Sequence, residues 1–109
     1  MTGGLEAAEL RADGGPVRIA VNGVAGHMGR TVVETAAERE DVAVAVGIDV
    51  ETDASVDPPV YGPEEAAAAL ADHDPDAVVD FTVPEATLGL LAACEDAGVP
   101  LVIGTTGFD

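Results

Sequence analysis

The stretch Val17–Arg30 limits the fold more than any other part of this sequence. It opens as an apolar, β-branched run (Val17, Ile19, Val21) that suits a buried strand, then breaks at Gly23, Gly26 and Gly29 and continues as an amphipathic helix. Strand, glycine turn and helix in that order make an anion site. Gly23 permits a sharp turn, Gly26 removes a side chain where a pyrophosphate would approach, and Gly29 lets helix and strand pack closely. The N–H groups of the first helical turn face the same point. The spacing is G-x-x-G-x-x-G, not the G-x-G-x-x-G of the commonest dinucleotide fingerprint. The glycines alone therefore leave a ligand-free βα turn open as a second reading.

The rest of the chain repeats the strand–helix alternation. Residues 1–16, small, polar and glycine-rich, read as a flexible leader before a domain over 17–109. Met28, Val32, Val33, Ala36 and Ala37 recur at helical spacing and predict a buried stripe, with Arg30, Glu34 and Glu38 opposite. Val42–Ile48 is apolar on both alternating faces, as in a parallel strand covered on both sides. Residues 50–60, acidic and proline-containing, read as a surface loop. Gly62-Pro63-Glu64-Glu65 opens a helix that runs through alanines to Leu70 and closes at His73-Asp74-Pro75. Ala77–Asp80 is a short strand, and Thr82–Glu85 has capping-box spacing. Ala86, Leu90, Ala93, Cys94 and Ala97 form the stripe of the next helix, stopped by Gly98. Leu101–Ile103 is a last strand running into Gly104-Thr105-Thr106. The expected architecture is α/β: a Rossmann-like open parallel sheet of about four strands with helices on both faces. Ligands of such sheets bind at the carboxyl ends of the strands.

Composition narrows the function classes. A chain of 109 residues, 48% of them hydrophobic, supports one core. It has no apolar run near the roughly 20 residues of a membrane span, no secretory signal and a single cysteine, so the expected setting is a reducing cytoplasm without a membrane partner. Twenty-one acidic residues against four arginines and no lysine give a net charge of −17. No basic patch is available for nucleic acid. Charge spread over the whole chain points instead to adaptation to high salt, where self-repulsion is screened.

Asp49 ends the second strand, where a dinucleotide fold places the carboxylate that accepts from the adenosine ribose. Val50, not a cation, follows it, which favours NAD and leaves NADP as the alternative. His27, inside the turn, either donates to a pyrophosphate or is an exposed histidine without a task. Cys94 falls on an apolar stripe and reads as a buried hydrophobe, and His73 reads as surface. No metal-ligand cluster or nucleophile triad is visible.

Three motifs in order, Gly23-Val-Ala-Gly-His-Met-Gly-Arg30, Val78-Val-Asp-Phe-Thr-Val-Pro-Glu85 and Val102-Ile-Gly-Thr-Thr-Gly-Phe-Asp109, resemble 4-hydroxy-tetrahydrodipicolinate reductase, the dihydrodipicolinate reductase family of lysine and diaminopimelate biosynthesis. The resemblance implies hydride transfer from NADH or NADPH to a cyclic dicarboxylate in a cytoplasmic, tetrameric enzyme. It places the pyrophosphate loop at Gly23, Val24, Ala25, Gly26, His27 and Met28, and the ribose acid at Asp49. Phe81 and Thr82 fall on the nicotinamide side, and Gly104, Thr105 and Thr106 beside the nicotinamide ribose. His27 stands where many members carry arginine. The family continues with a second domain that holds its catalytic histidine and lysine, its substrate site and its tetramer sheet. The expectation is therefore a cofactor-binding half that lacks the catalytic and assembly domain and is inactive alone. Two other readings remain: a non-catalytic nucleotide- or CoA-binding module, and the cofactor half of another amino-acid dehydrogenase.

Overall fold

The computed structural model describes residues 15–53, 56–82 and 84–103. Residues 1–14 of the leader, the side chains of Glu85 and Ala86, and Gly104–Asp109 lie outside what is described. Five parallel strands form one sheet: β1 (Val17–Asn22), β2 (Val42–Ile48), β3 (Val60–Tyr61), β4 (Ala77–Asp80) and β5 (Leu101–Ile103), in the order β3-β2-β1-β4-β5. The helices are α1 (His27–Ala37), α2 (Ala66–His73), entered through a 3₁₀ turn at Pro63–Glu65, and α3 (Pro84–Ala97). The order reverses between β1 and β4, which is the topological switch point of a doubly wound sheet.

The fifth strand corrects the expected count of about four. Val60 falls at the end of the stretch read as a loop, and with Tyr61 it pairs alongside Gly47 and Ile48 of β2. Two residues after Pro58-Pro59 carry no alternation long enough to be seen as a strand.

Period-two alternation divides the core. Val17, Ile19 and Val21 of β1 face the side covered by α1, with Val24 and Ala77, while Ala20 joins Val78, Leu70, Leu90 and Cys94 beneath α2 and α3. In β2 the register slips: Ile19 pairs with Val44 but Ala20 with Val46, so Ala45 is bulged out. One residue inverts every later side chain. Val42 and Val44 consequently pack on the α1 side, and Val46 and Ile48 on the other. Full cover holds only for the second half of β2, since residues 42–45 are half-buried.

The helix stripes are narrower than their spacing suggests. Ala36 is buried and Val32 and Val33 half-buried, but Met28 is 53% exposed and Ala37 also faces solvent. In α3, Leu90 and Cys94 are buried and Ala97 is exposed, as are Leu88 and Leu91. Asp74 closes α2 in the left-handed region at φ 46°.

Candidate nucleotide-binding site

The site is built where β1, β2 and β4 end. Gly23 follows β1 at φ +85°, a conformation that disfavours side chains, and its N–H donates to the Ile48 carbonyl at 2.7 Å. Gly26 N–H returns to the Gly23 carbonyl at 3.1 Å and closes a four-residue turn. α1 begins immediately after, and its first hydrogen-bonded amide is that of Arg30, which donates to Gly26. The amides of His27, Met28 and Gly29 have no carbonyl one helical turn earlier to receive them, so the turn ends in donors and the positive end of a helix dipole. A Cβ on Gly29 would lie 2.2 Å from the Gly23 carbonyl oxygen, which shows how tightly α1 sits on the turn.

Asp49 is the second component. Its Oδ2 accepts from Ala25 N–H at 3.0 Å and its Oδ1 from Glu51 N–H at 3.0 Å. The carboxylate thereby fixes the glycine turn to the end of β2 while remaining half-exposed at a cavity of about 700 Å³. Gly23, Gly26, Asp49, Phe81 and Thr82 all line that cavity. It spans the switch point, where the fold places its ligands.

The other expected residues are placed differently. Val24 is fully buried under α1, and its N–H donates to the Ile48 carbonyl at 3.4 Å. Ala25 offers an N–H already taken by Asp49, and Arg30 Nε donates to its carbonyl at 2.8 Å. His27 and Met28 are exposed at the helix start and do not line the cavity. Gly104, Thr105 and Thr106 lie outside the described residues. Two walls were not anticipated from sequence: Pro63, Glu64 and Ala66 before and within α2, and Gly89 and Leu90 of α3. Their spacing signalled only helix starts and core.

Behind the cavity, Asp80 is fully buried. Its Oδ1 accepts from Asn22 Nδ2 at 3.1 Å, Thr82 N–H at 3.0 Å and Thr82 Oγ1 at 2.6 Å, and its Oδ2 accepts from Thr87 Oγ1. Cys94 lies buried on α3, where burial and then the Asp80 charge push its thiol up, so it stays protonated and unreactive. His73 is half-buried and not a free surface residue: its ring packs edge-on against Tyr61, 5.5 Å between centroids, with Nε2 3.2 Å from the Tyr61 hydroxyl. That hydroxyl also donates to Asp72 at 2.9 Å. Among the described residues no group of three or more histidine, cysteine or acidic side chains could hold a metal ion. Nor, among the described residues, is any helix long and apolar enough to cross a membrane.

Comparison with known proteins decides the family. The family model described as "Dihydrodipicolinate reductase, N-terminus" matches residues 17–109. The chain belongs to the dihydrodipicolinate reductase family. It is 55% identical over 93 residues to the 4-hydroxy-tetrahydrodipicolinate reductase of Haloarcula marismortui, covering 84% of this chain and 36% of that protein. It is 42% identical over 106 residues to the enzyme of the same name from Thiobacillus denitrificans, covering 85% of this chain and 38% of that one. The chain thus spans a little over a third of these relatives' length and corresponds to the amino-terminal nucleotide-binding part of the reductase. Among solved structures, a dipicolinate-bound dihydrodipicolinate reductase from Paenisporosarcina sp. TG-14 superposes with a TM-score of 0.71 at 25% identity, covering 86% of this chain and 39% of that one. The protein named RSP, solved in complex with β-NAD+ and operator DNA, shares the fold at a TM-score of 0.65 and 13% identity, over 84% of this chain and 51% of its own.

Proposed function

We propose that this reductase domain binds a nicotinamide dinucleotide across the β1/β4 switch point, with NAD(H) preferred over NADP(H). The observation that carries the reading is Asp49, a half-exposed carboxylate that holds the glycine turn and faces the same cavity. In this reading Asp49 accepts from the adenosine ribose hydroxyls, and the turn of Gly23, Val24, Ala25 and Gly26, its own amides engaged within the protein, leads the pyrophosphate to the amides of His27 and Met28. Phe81 and Thr82 are assigned to the nicotinamide half, and the family resemblance assigns Gly104, Thr105 and Thr106 to it as well. The preference rests on charge. Among the described residues the cavity is lined by Asp49, Val50 and Glu64 and by no cation, so a 2′-phosphate would meet carboxylates.

Bound there, a reduced nicotinamide supplies a hydride, which the full-length family enzyme delivers to a cyclic dicarboxylate in diaminopimelate and lysine biosynthesis. Such a reaction also needs a proton donor and cationic grip on a dianion. Four arginines, one of them bridging to Asp41 on the surface, offer little of either. The 109-residue chain should therefore bind cofactor without turnover, and catalysis, substrate binding and tetramer assembly would belong to the longer protein. A cytoplasmic setting, adaptation to high salt and no affinity for nucleic acid complete the reading. Calorimetric titration with NADH, NADPH and CoA tests it. NADH should bind tighter than NADPH, and Asp49→Asn should narrow the gap. Tighter binding of CoA would overturn the dinucleotide assignment, tighter NADPH the preference, and reductase activity from the isolated chain the division of labour.

A further inference from the structure

Asp80 is buried behind the cavity wall and does not line the cavity, yet its carboxylate joins the end of β1, the turn after β4 and the start of α3. Asn22 comes from the end of β1, Asp80 from the end of β4, Thr82 from the turn that follows, and Thr87 from the first turns of α3. Two residues earlier on the same face, Val78 packs into the apolar core under α2 and α3. An apolar residue at position 80 would suit that core at far lower desolvation cost than a carboxylate, which is tolerated only where several donors face it. What the carboxylate adds is direction. It fixes the Thr82 hydroxyl and amide together, and holds the Asn22 amide, 3.4 Å from Thr82 Oγ1. Thr82 in turn abuts the glycine turn, its Cγ2 lying 3.0 Å from where a Cβ on Gly23 would stand. Asn22, Gly23, Phe81 and Thr82 are all cavity-lining.

We infer that Asp80 is a positioning residue for the nicotinamide-side wall of the site: acting through Thr82 and Asn22, it sets the β4 half of the cavity and leaves the adenosine half to Asp49. The inference rests on the dinucleotide reading above. The separation follows from topology, because Asp49 ends β2 on one side of β1 while Asp80 and Thr82 end β4 on the other. A dinucleotide lies across that division, whereas ADP occupies only the first half.

The experiment compares NADH, followed by its fluorescence, with ADP, followed by calorimetry, in the full chain. Asp80→Asn keeps the volume but turns one acceptor into a donor, which faces either the Thr87 hydroxyl or the Asn22 and Thr82 donors. NADH affinity should fall about tenfold, the equivalent of one such hydrogen bond, with ADP affinity unchanged. The fluorescence enhancement of bound NADH should fall as well. Thr87→Val, which removes one donor without touching the cavity, covers the case in which Asp80→Asn does not fold. It should weaken NADH alone by about threefold to tenfold, and Thr87→Ser should restore it. A purely structural role would lower stability and move both ligands together or neither, and either result in a folded variant would overturn the inference. Wild-type chain that binds ADP but shows no added affinity for NADH would overturn it too. Chain that binds neither would overturn the dinucleotide reading itself, and this inference with it.

Discussion

Replacing Gly29 with alanine should destabilise this domain although alanine is the better helix former by about 1 kcal/mol. The added Cβ would stand 2.2 Å from the Gly23 carbonyl oxygen, 2.7 Å from Val24 Cα and 2.9 Å from the Gly23 carbonyl carbon. Ordinary van der Waals contact begins at about 3.4 Å, so the start of α1 must retreat by more than an ångström. All three obstacles are backbone, and no rotamer change relieves them. Overpacking of this kind costs typically 1–3 kcal/mol, and a rigid backbone clash belongs at about the upper end. Set against the helix gain, the net loss is about 2 kcal/mol. Gly89 supplies the internal control. It also lies within a helix, but nothing is found within 4 Å of its would-be Cβ, so Gly89→Ala should stabilise by about 0.5–1 kcal/mol. Urea denaturation of both variants at one fixed molar salt concentration gives the two free energies. Midpoints that move in the same direction would refute the claim that α1 is held against the turn by backbone contact.

Two further predictions concern charge. Tyr61 is the one tyrosine in a chain without tryptophan, so phenolate absorbance reports it alone. Its hydrogen bond to Asp72, then burial and the Asp72 charge, raise its pKa above the usual 10.0, so its contribution to stability is full below that value and is lost as pH rises through the folded pKa; Asp72→Asn should bring the titration down. With a net charge of −17, the melting temperature and the NADH affinity should both rise with KCl, because the Debye length falls from about 8 Å near 0.15 M to about 3 Å near 1 M. A melting temperature that is flat or falling over that range would remove the high-salt reading.

What the sequence made legible is what repeats with a period. The alternation in β1 and the helix starts at Gly26, Pro63 and Pro84 are local signals, and the parallel sheet follows from them by chirality and connection length. The bulge at Ala45 was hidden because Val42–Ile48 is apolar whichever way it is phased. Only pairing with β1 shows that Val42 and Ile48 face opposite sides. Strand β3 was hidden by its length. Asp80 was visible as a polar residue ending a strand, but sequence offers no means of counting donors brought from β1 and α3, more than fifty residues and seven residues away. Met28 misled in the opposite sense: its spacing is helical, yet it falls in the first turn of α1 and is left exposed.

The unusual glycine spacing acquires a physical meaning from these constraints. Gly23 is required by its positive φ, and Gly29 by contact with the Gly23 carbonyl, so the two end positions are set by the backbone itself. Gly26 is under no such demand: its would-be Cβ meets only the Gly23 carbonyl oxygen, at 3.4 Å. Its position is instead set by the hydrogen bond that closes the turn three residues after Gly23, and it opens on the cavity. Moving the middle glycine one place toward Gly23, as in the commoner fingerprint, would put it at Ala25, whose N–H donates to Asp49 and whose carbonyl accepts from Arg30 Nε. The extra residue before the middle glycine, Ala25, is therefore the point at which Asp49 grips the turn. Val24 ties the turn down into the sheet, Asp49 holds the next amide from the side, and Gly26 is left as the position whose missing side chain serves the ligand and not the fold.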